Sequence, residues 1–208
     1  SSVQQLIGGF PGSLYDHSWS PDGKWLAVFS AWSEGGIVYD RADKLDIFDP
    51  STGALRTIVS EIGQGNLIWS PDSQWLAFTK AIESGLFMLN VNTFTVTELL
   101  STEHGYMLAA WSSDSQWLAS IQNPFMGFSP LYLANANTAM TTELVPAADF
   151  RSIAWSPDGT QIMTTVYEED QAKLVIVNLS DGSTRELFGI DRVDVSEREY
   201  GFEHILEL

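Results

Sequence analysis

The sequence contains no cysteine, which removes disulfides, thiolate nucleophiles and cysteine-based zinc sites together. Basic residues are scarce: ten Lys and Arg stand against twenty-seven Asp and Glu, a formal net charge of −17. That field repels nucleic acid and anionic membrane surfaces, so neither is expected as a partner. A basic partner, a cation or a neutral ligand fits it better. No apolar run approaches the length of a membrane span, and no signal-peptide pattern appears, so membrane insertion is not expected. The first residues, "SSVQQLIGG", lack Met, which raises the expectation that a leader or a longer N-terminal region has been removed.

Catalytic motifs are missing as well. There is no GxSxG nucleophile elbow, no HExxH and no P-loop. The three histidines, His17, His104 and His204, have no ligand spacing between them. His17 falls where other parts of the chain place Leu67, Ala109 and Ile153, which points to a hydrogen-bonded structural histidine. The acids of "EED" (168–170), Asp191 and Asp194 suit calcium chemically but lack EF-hand spacing. No catalytic residue, metal site or cofactor is therefore expected.

What is present is a repeat. "WSPDGKWLAV" begins at Trp19, "WSPDSQWLAF" at Trp69, "WSSDSQWLAS" at Trp111 and "WSPDGTQIMT" at Trp155. The intervals of 50, 42 and 44 residues each match one four-stranded propeller blade, the first being lengthened by "AWSEGGIVYDRAD" (31–43). About twenty residues after each phrase come two short strands joined by a turn. They read "LDIFDPSTGALRTIV" (45–59), "LFMLNVNTFTVTELL" (86–100), "LYLANANTAMTTELV" (131–145) and "LVIVNLSDGSTRELF" (174–188).

Each repeat thus reads as four strands, with the segment before the tryptophan innermost. "VQQLI" (3–7) resembles an extra outermost strand. Blades are expected over residues 1–188, and a tail, edge strand or linker over 189–208.

The composition of the phrase suits a tight turn. Pro pre-sets φ, Asp22 can accept backbone N–H groups, and Gly23 supplies a left-handed conformation. Ser73 and Ser115 replace that Gly, and Ser113 replaces the Pro. A turn tolerates such losses where a catalytic apparatus does not. The four leading tryptophans are expected as packing plates between blades.

These residues resemble the TolB-type family of β-propeller repeats, whose mark is a "WSPDGxxIAF"-like phrase followed by a strand and an Asn/Asp-Gly turn. The resemblance covers residues 3–188. It implies an all-β propeller of four-stranded antiparallel blades and a bacterial, periplasmic or extracellular setting. Family propellers commonly close with about six to eight blades, and this chain carries four. Three arrangements follow: part of a larger propeller, a four-bladed ring, or two chains completing one larger ring.

Blade topology sends the irregular loops to one face, where binding is usually seated on a rigid scaffold. The candidate binding residues there are Trp32, Glu34, Tyr39, Asp40, Tyr106, Phe125, Met126, Phe128, Phe150, Tyr167, Glu168 and Asp170. Aromatic groups among acids suit a basic or amphipathic peptide, or a sugar-like ligand. The expected function is a non-enzymatic scaffold for protein or peptide binding. The alternatives are a regulatory or substrate-gating propeller of a larger hydrolase, implied by resemblance alone, and a small-ligand or carbohydrate binder.

Overall fold

Alternating small and branched apolar residues after each tryptophan phrase make strands that can be covered on both faces. The computed structural model describes residues 12–32, 44–60, 65–80, 85–101, 107–122, 128–168 and 171–191, which form sixteen strands and no helix. The first unit is β1 (Gly12–Trp19), β2 (Leu26–Trp32), β3 (Lys44–Asp49) and β4 (Ala54–Ser60). The second is β5 (Leu67–Trp69), β6 (Trp75–Lys80), β7 (Gly85–Asn90) and β8 (Thr95–Ser101). The third is β9 (Met107–Trp111), β10 (Trp117–Gln122), β11 (Ser129–Asn135) and β12 (Thr141–Phe150). The fourth is β13 (Ala154–Trp155), β14 (Gln161–Glu168), β15 (Gln171–Asn178) and β16 (Thr184–Asp191). Each unit is an antiparallel meander, as expected, with inner strands β1, β5, β9 and β13 succeeding one another.

One crossing differs from expectation. "PAADFR" (146–151) reads as an irregular loop, but β12 runs through it to Phe150 and pairs with β14 at Asp149↔Tyr167 and Phe150↔Val166. The third and fourth units therefore share one continuous sheet. The inner edge of the fourth unit is built from two pieces, the end of β12 and the two-residue β13. At the C-terminal side β16 continues past Phe188 to Asp191. "VQQLI" and residues 192–208 lie outside the described residues.

A common register sorts the side chains. Trp19↔Leu26, Trp69↔Leu76, Trp111↔Leu118 and Trp155↔Ile162 pair across the first two strands of each unit. At each of the three junctions between units, one face of a sheet meets the facing side of the following unit. Ala27, Leu45 and Ile47 pack with Trp69, Leu76 and Leu89. Ala77, Leu86 and Met88 pack with Trp111, Leu118 and Ala134. Ala119, Leu131 and Leu133 pack with Ile162 and Val177, with Trp155 laid against them. These slabs between units are the core, and each fully buried Leu, Ile or Phe contributes about 1.5–3 kcal/mol.

The imperfections of the repeat have a structural role that the sequence reading did not anticipate. Ser73 (φ 63°) and Ser115 (φ 61°) adopt the same left-handed conformation as Gly23 (φ 73°) and Gly159 (φ 70°). Both serines are buried, and each hydroxyl accepts a backbone N–H from the preceding unit at 3.0 Å: Asp22 to Ser73, and Asp72 to Ser115. Ser113, in place of the usual Pro, donates to the Pro157 carbonyl of the following unit at 3.0 Å. Each of these three serines thus makes an inter-unit hydrogen bond.

The outer turns follow the same logic. Phe94 holds a positive φ of 57° while its ring meets Trp25 edge-on at 5.7 Å and lies under Arg56 of the preceding unit at 4.2 Å.

Candidate binding face

In a meander of four antiparallel strands, the loops between the second and third strands share one end with the crossings between units. The C-terminal ends of β2, β6, β10 and β14 and the N-terminal ends of β3, β7, β11 and β15 therefore lie together. The opposite end carries the tryptophan-phrase turns. There the carboxylates serve their own turns: Asp22 Oδ1 accepts from Ser20 Oγ at 2.8 Å and from the Lys24 N–H at 3.1 Å. The Lys24 side chain, then its backbone N–H and the Ser20 hydroxyl, lower the pKa of Asp22 from 3.8 to about 2. Asp114 and Asp158 are also lowered, first by the hydroxyls of Ser112 and Ser156. These acids act as fixed turn acceptors.

At the loop end, Phe128 immediately precedes β11 and is 76% exposed, the ring most open to solvent among the exposed large hydrophobic side chains described. Tyr167 and Glu168 close β14 beside it in sequence order of the units. Tyr167 is half-buried, with the Arg151 guanidinium over its ring at 5.1 Å. Arg151 is itself held by Asp149, through Nη2 to Oδ2 at 2.7 Å and an Nε–Oδ1 approach of 2.6 Å. Glu168 pairs with Lys173 at 2.6 Å, and Glu186 lies 3.5 Å from the same ammonium. Hydrogen bonding to Glu168 raises the pKa of Lys173, so this acid is largely compensated.

Phe150 corrects the sequence reading. It belongs to the core between the third and fourth units, fully covered, because the segment that carries it is strand and not loop. Trp32 ends β2, and its side chain lies outside the described residues, as do Glu34, Tyr39, Asp40, Tyr106, Phe125, Met126 and Asp170. The structure thus places Phe128, Tyr167 and Glu168 at the same end of the strands and withdraws Phe150.

Sequence reasoning passed over Asp149, Arg151 and Lys173. The signal for Asp149 and Arg151 was the break in the apolar pattern at "ADFRSIAW", where an ion pair stands inside an otherwise apolar inner edge.

His17 also departs from expectation. It is exposed on β1, and its described hydrogen bond is from its backbone N–H to Asp16 Oδ1 at 2.8 Å. Among the described residues no group of three or more His, Asp or Glu is placed to hold a metal ion.

No family model matches the chain, and no curated protein matches it significantly. Solved structures do. TolB from Acinetobacter baumannii shares 18% identity over 85% of this chain and 43% of its own, with a TM-score of 0.54. A protein assigned as TolB from Agrobacterium tumefaciens shares 15% identity over 88% of this chain and 68% of its own, with a TM-score of 0.56. A prolyl endopeptidase structure shares 14% identity over 88% of this chain and 30% of its own, with a TM-score of 0.60. The chain spans less than half the length of the first of these. The likeness is one of fold: the chain has a TolB-like β-propeller fold, a scaffold that carries an enzyme in one neighbour and TolB in another.

Proposed function

We propose that this chain is a non-enzymatic propeller scaffold that presents its loop end to a protein or peptide, with a basic or amphipathic segment as the preferred ligand. The observation that carries this reading is Phe128, a large ring left 76% exposed at the start of a rigid four-stranded unit. Buried-core logic gives no reason for it, and aromatic anchors on rigid scaffolds are the usual centres of binding energy. The excess of acid over base favours cationic segments by steering. The carboxylates with lowered pKa values belong to turns at the other end, which leaves them to structure.

The test is a panel of short fluorescent peptides, basic and neutral, read by anisotropy against the chain and a triple alanine variant at Trp32, Phe125 and Phe128. Loss of basic-peptide binding without a change in Tm supports the reading. Binding that survives the triple variant removes it.

A second reading, a regulatory or gating propeller of a larger hydrolase, draws on the prolyl endopeptidase likeness, which covers 30% of that enzyme. A nucleophile-bearing α/β domain in the same gene product would favour it.

A further inference from the structure

The three junctions between units share one link, an indole N–H that donates to the preceding unit, and the first two also share a buried serine acceptor. Beyond those links they are built differently. At the first junction Phe29, Phe78 and Phe87 lie in one cluster, with Phe78 and Phe87 stacked at 5.6 Å. At the second, the same register positions carry Thr79, Ser120 and Tyr132. Thr79 shares a face of β6 with Ala77, while Ser120 and Tyr132 share a face with Leu118 and Ala134, so all three belong to this junction. Ser120 is 1% exposed, and its hydroxyl has no hydrogen-bond partner among the described residues.

The outer turns repeat the contrast. Phe94 meets Trp25 and Arg56 across the first junction, whereas Ala139 stands at its place in the second with the same left-handed φ of 56°. The third junction lacks the phenyl pair but has other ties. β12 crosses it to pair with β14, Phe150 fills its cluster, and Ser113 donates to the Pro157 carbonyl.

We propose that the chain opens at the junction between its second and third units, the first two units moving as one rigid half and the last two as the other. Buried rings supply much of the apolar area at such an interface, and an unpaired buried hydroxyl subtracts from what remains. Local opening follows the boundary that buries least. Phe128 rides on the third unit, so the opening changes its distance from the loop ends of the first two. The opening itself does not depend on what the loop end binds.

A chain without cysteine allows a direct test. Ala27, Ala77 and Ala119 hold one register position in the first three units, are fully covered, and belong to the clusters of the first, second and third junctions. Ala27→Cys, Ala77→Cys and Ala119→Cys are each treated with a thiol reagent under native conditions, and labelling is followed by mass. Urea unfolding of each variant gives its global stability, which separates local opening from a general loss of fold. The thiol of Ala77→Cys should label at least about tenfold faster than the other two, because it awaits only local opening. Its rate should also depend less on urea than global unfolding does, since less surface is exposed. Adding Ser120→Val, which replaces the unpartnered hydroxyl with methyl groups, should slow that thiol and leave the other two unchanged. Equal rates at the three positions overturn the proposal, as does faster labelling at Ala27→Cys or Ala119→Cys. A Ser120→Val background in which the Ala77→Cys thiol reacts as fast as before, or faster, overturns it as well.

Discussion

The indole N–H of Trp111 donates to the carbonyl oxygen of Ile68 at 2.9 Å, across the boundary between the third and second units. Trp69 does the same to Ser18 at 3.0 Å, and Trp155 to Ala110 at 2.9 Å. In each case the acceptor is the residue just before the preceding unit's own tryptophan. A ring of similar bulk without an N–H would fill the slab and lose the bond that ties each unit to the next. The recurrence of tryptophan, and not merely of an aromatic residue, follows from this bond.

Trp111→Phe should therefore cost more than its lost area, by about 0.5–1.5 kcal/mol for the lost hydrogen bond between units. For a chain of this size that is a fall in Tm of roughly 1–6 °C. Trp19→Phe should stay within about 0.5 kcal/mol, since Trp19 is exposed and no hydrogen bond is described for its indole. Urea unfolding of the two variants separates the cases, and equal losses would show that the bond contributes nothing.

The scaffold was legible in the sequence because turn, strand and packing requirements repeat together, so one reading was checked four times over. The site was less legible because exposure depends on neighbours that no local pattern records. Phe150 looked like a loop aromatic, yet the lengthened β12 carries it into the core. Trp19 looked identical to Trp69, yet it stands exposed while Trp69 is buried against the first unit. Ser73 looked like a tolerated loss of glycine, and only its distance to Asp22 shows what it does.

The serine link gives a graded prediction at the one junction that lacks it. Gly159 occupies the position of Ser73 and Ser115, with φ at 70° and nothing within 4 Å of a Cβ placed there. Gly159→Ala should cost about 1 kcal/mol, the penalty of a left-handed non-glycine residue. Gly159→Ser should recover most of that by accepting the Asp114 N–H, as Ser73 accepts from Asp22. Chemical denaturation should rank glycine and serine close together with alanine below them, and a serine variant no better than alanine would break the analogy.

A second pair of glycines separates conformation from space. Gly53 (φ 74°) and Gly182 (φ 68°) hold equivalent outer-turn positions. A Cβ on Gly53 meets nothing within 4 Å, whereas one on Gly182 would lie 2.5 Å from the Leu144 carbonyl oxygen of the preceding unit. Gly53→Ala should cost only the conformational penalty, about 1 kcal/mol. Gly182→Ala adds a backbone clash and should cost at least about 2–3 kcal/mol. Comparable losses in the two variants would mean that the fourth unit shifts freely against the third.

Acid stability follows from the turn carboxylates. Asp22 titrates near a pKa of about 2 in the folded chain against 3.8 for a free side chain, and Asp114 and Asp158 are shifted in the same direction. A depressed folded-state pKa means that the unfolded chain binds the proton more tightly. The stabilisation is therefore complete above about pH 4 and is lost progressively as pH falls towards 2. Unfolding midpoints in urea should be nearly flat from about pH 5 to 8 and should drop below pH 4. Asp22→Asn removes one titrating acceptor and should make that drop shallower while lowering stability near neutrality, where the ionised Asp22 holds Lys24 at 2.9 Å. Because Lys24 is largely in water, added salt should weaken its share of the effect and leave the serine and backbone shares in place. An unchanged slope in Asp22→Asn would place the acid sensitivity elsewhere among the twenty-seven acids of the chain.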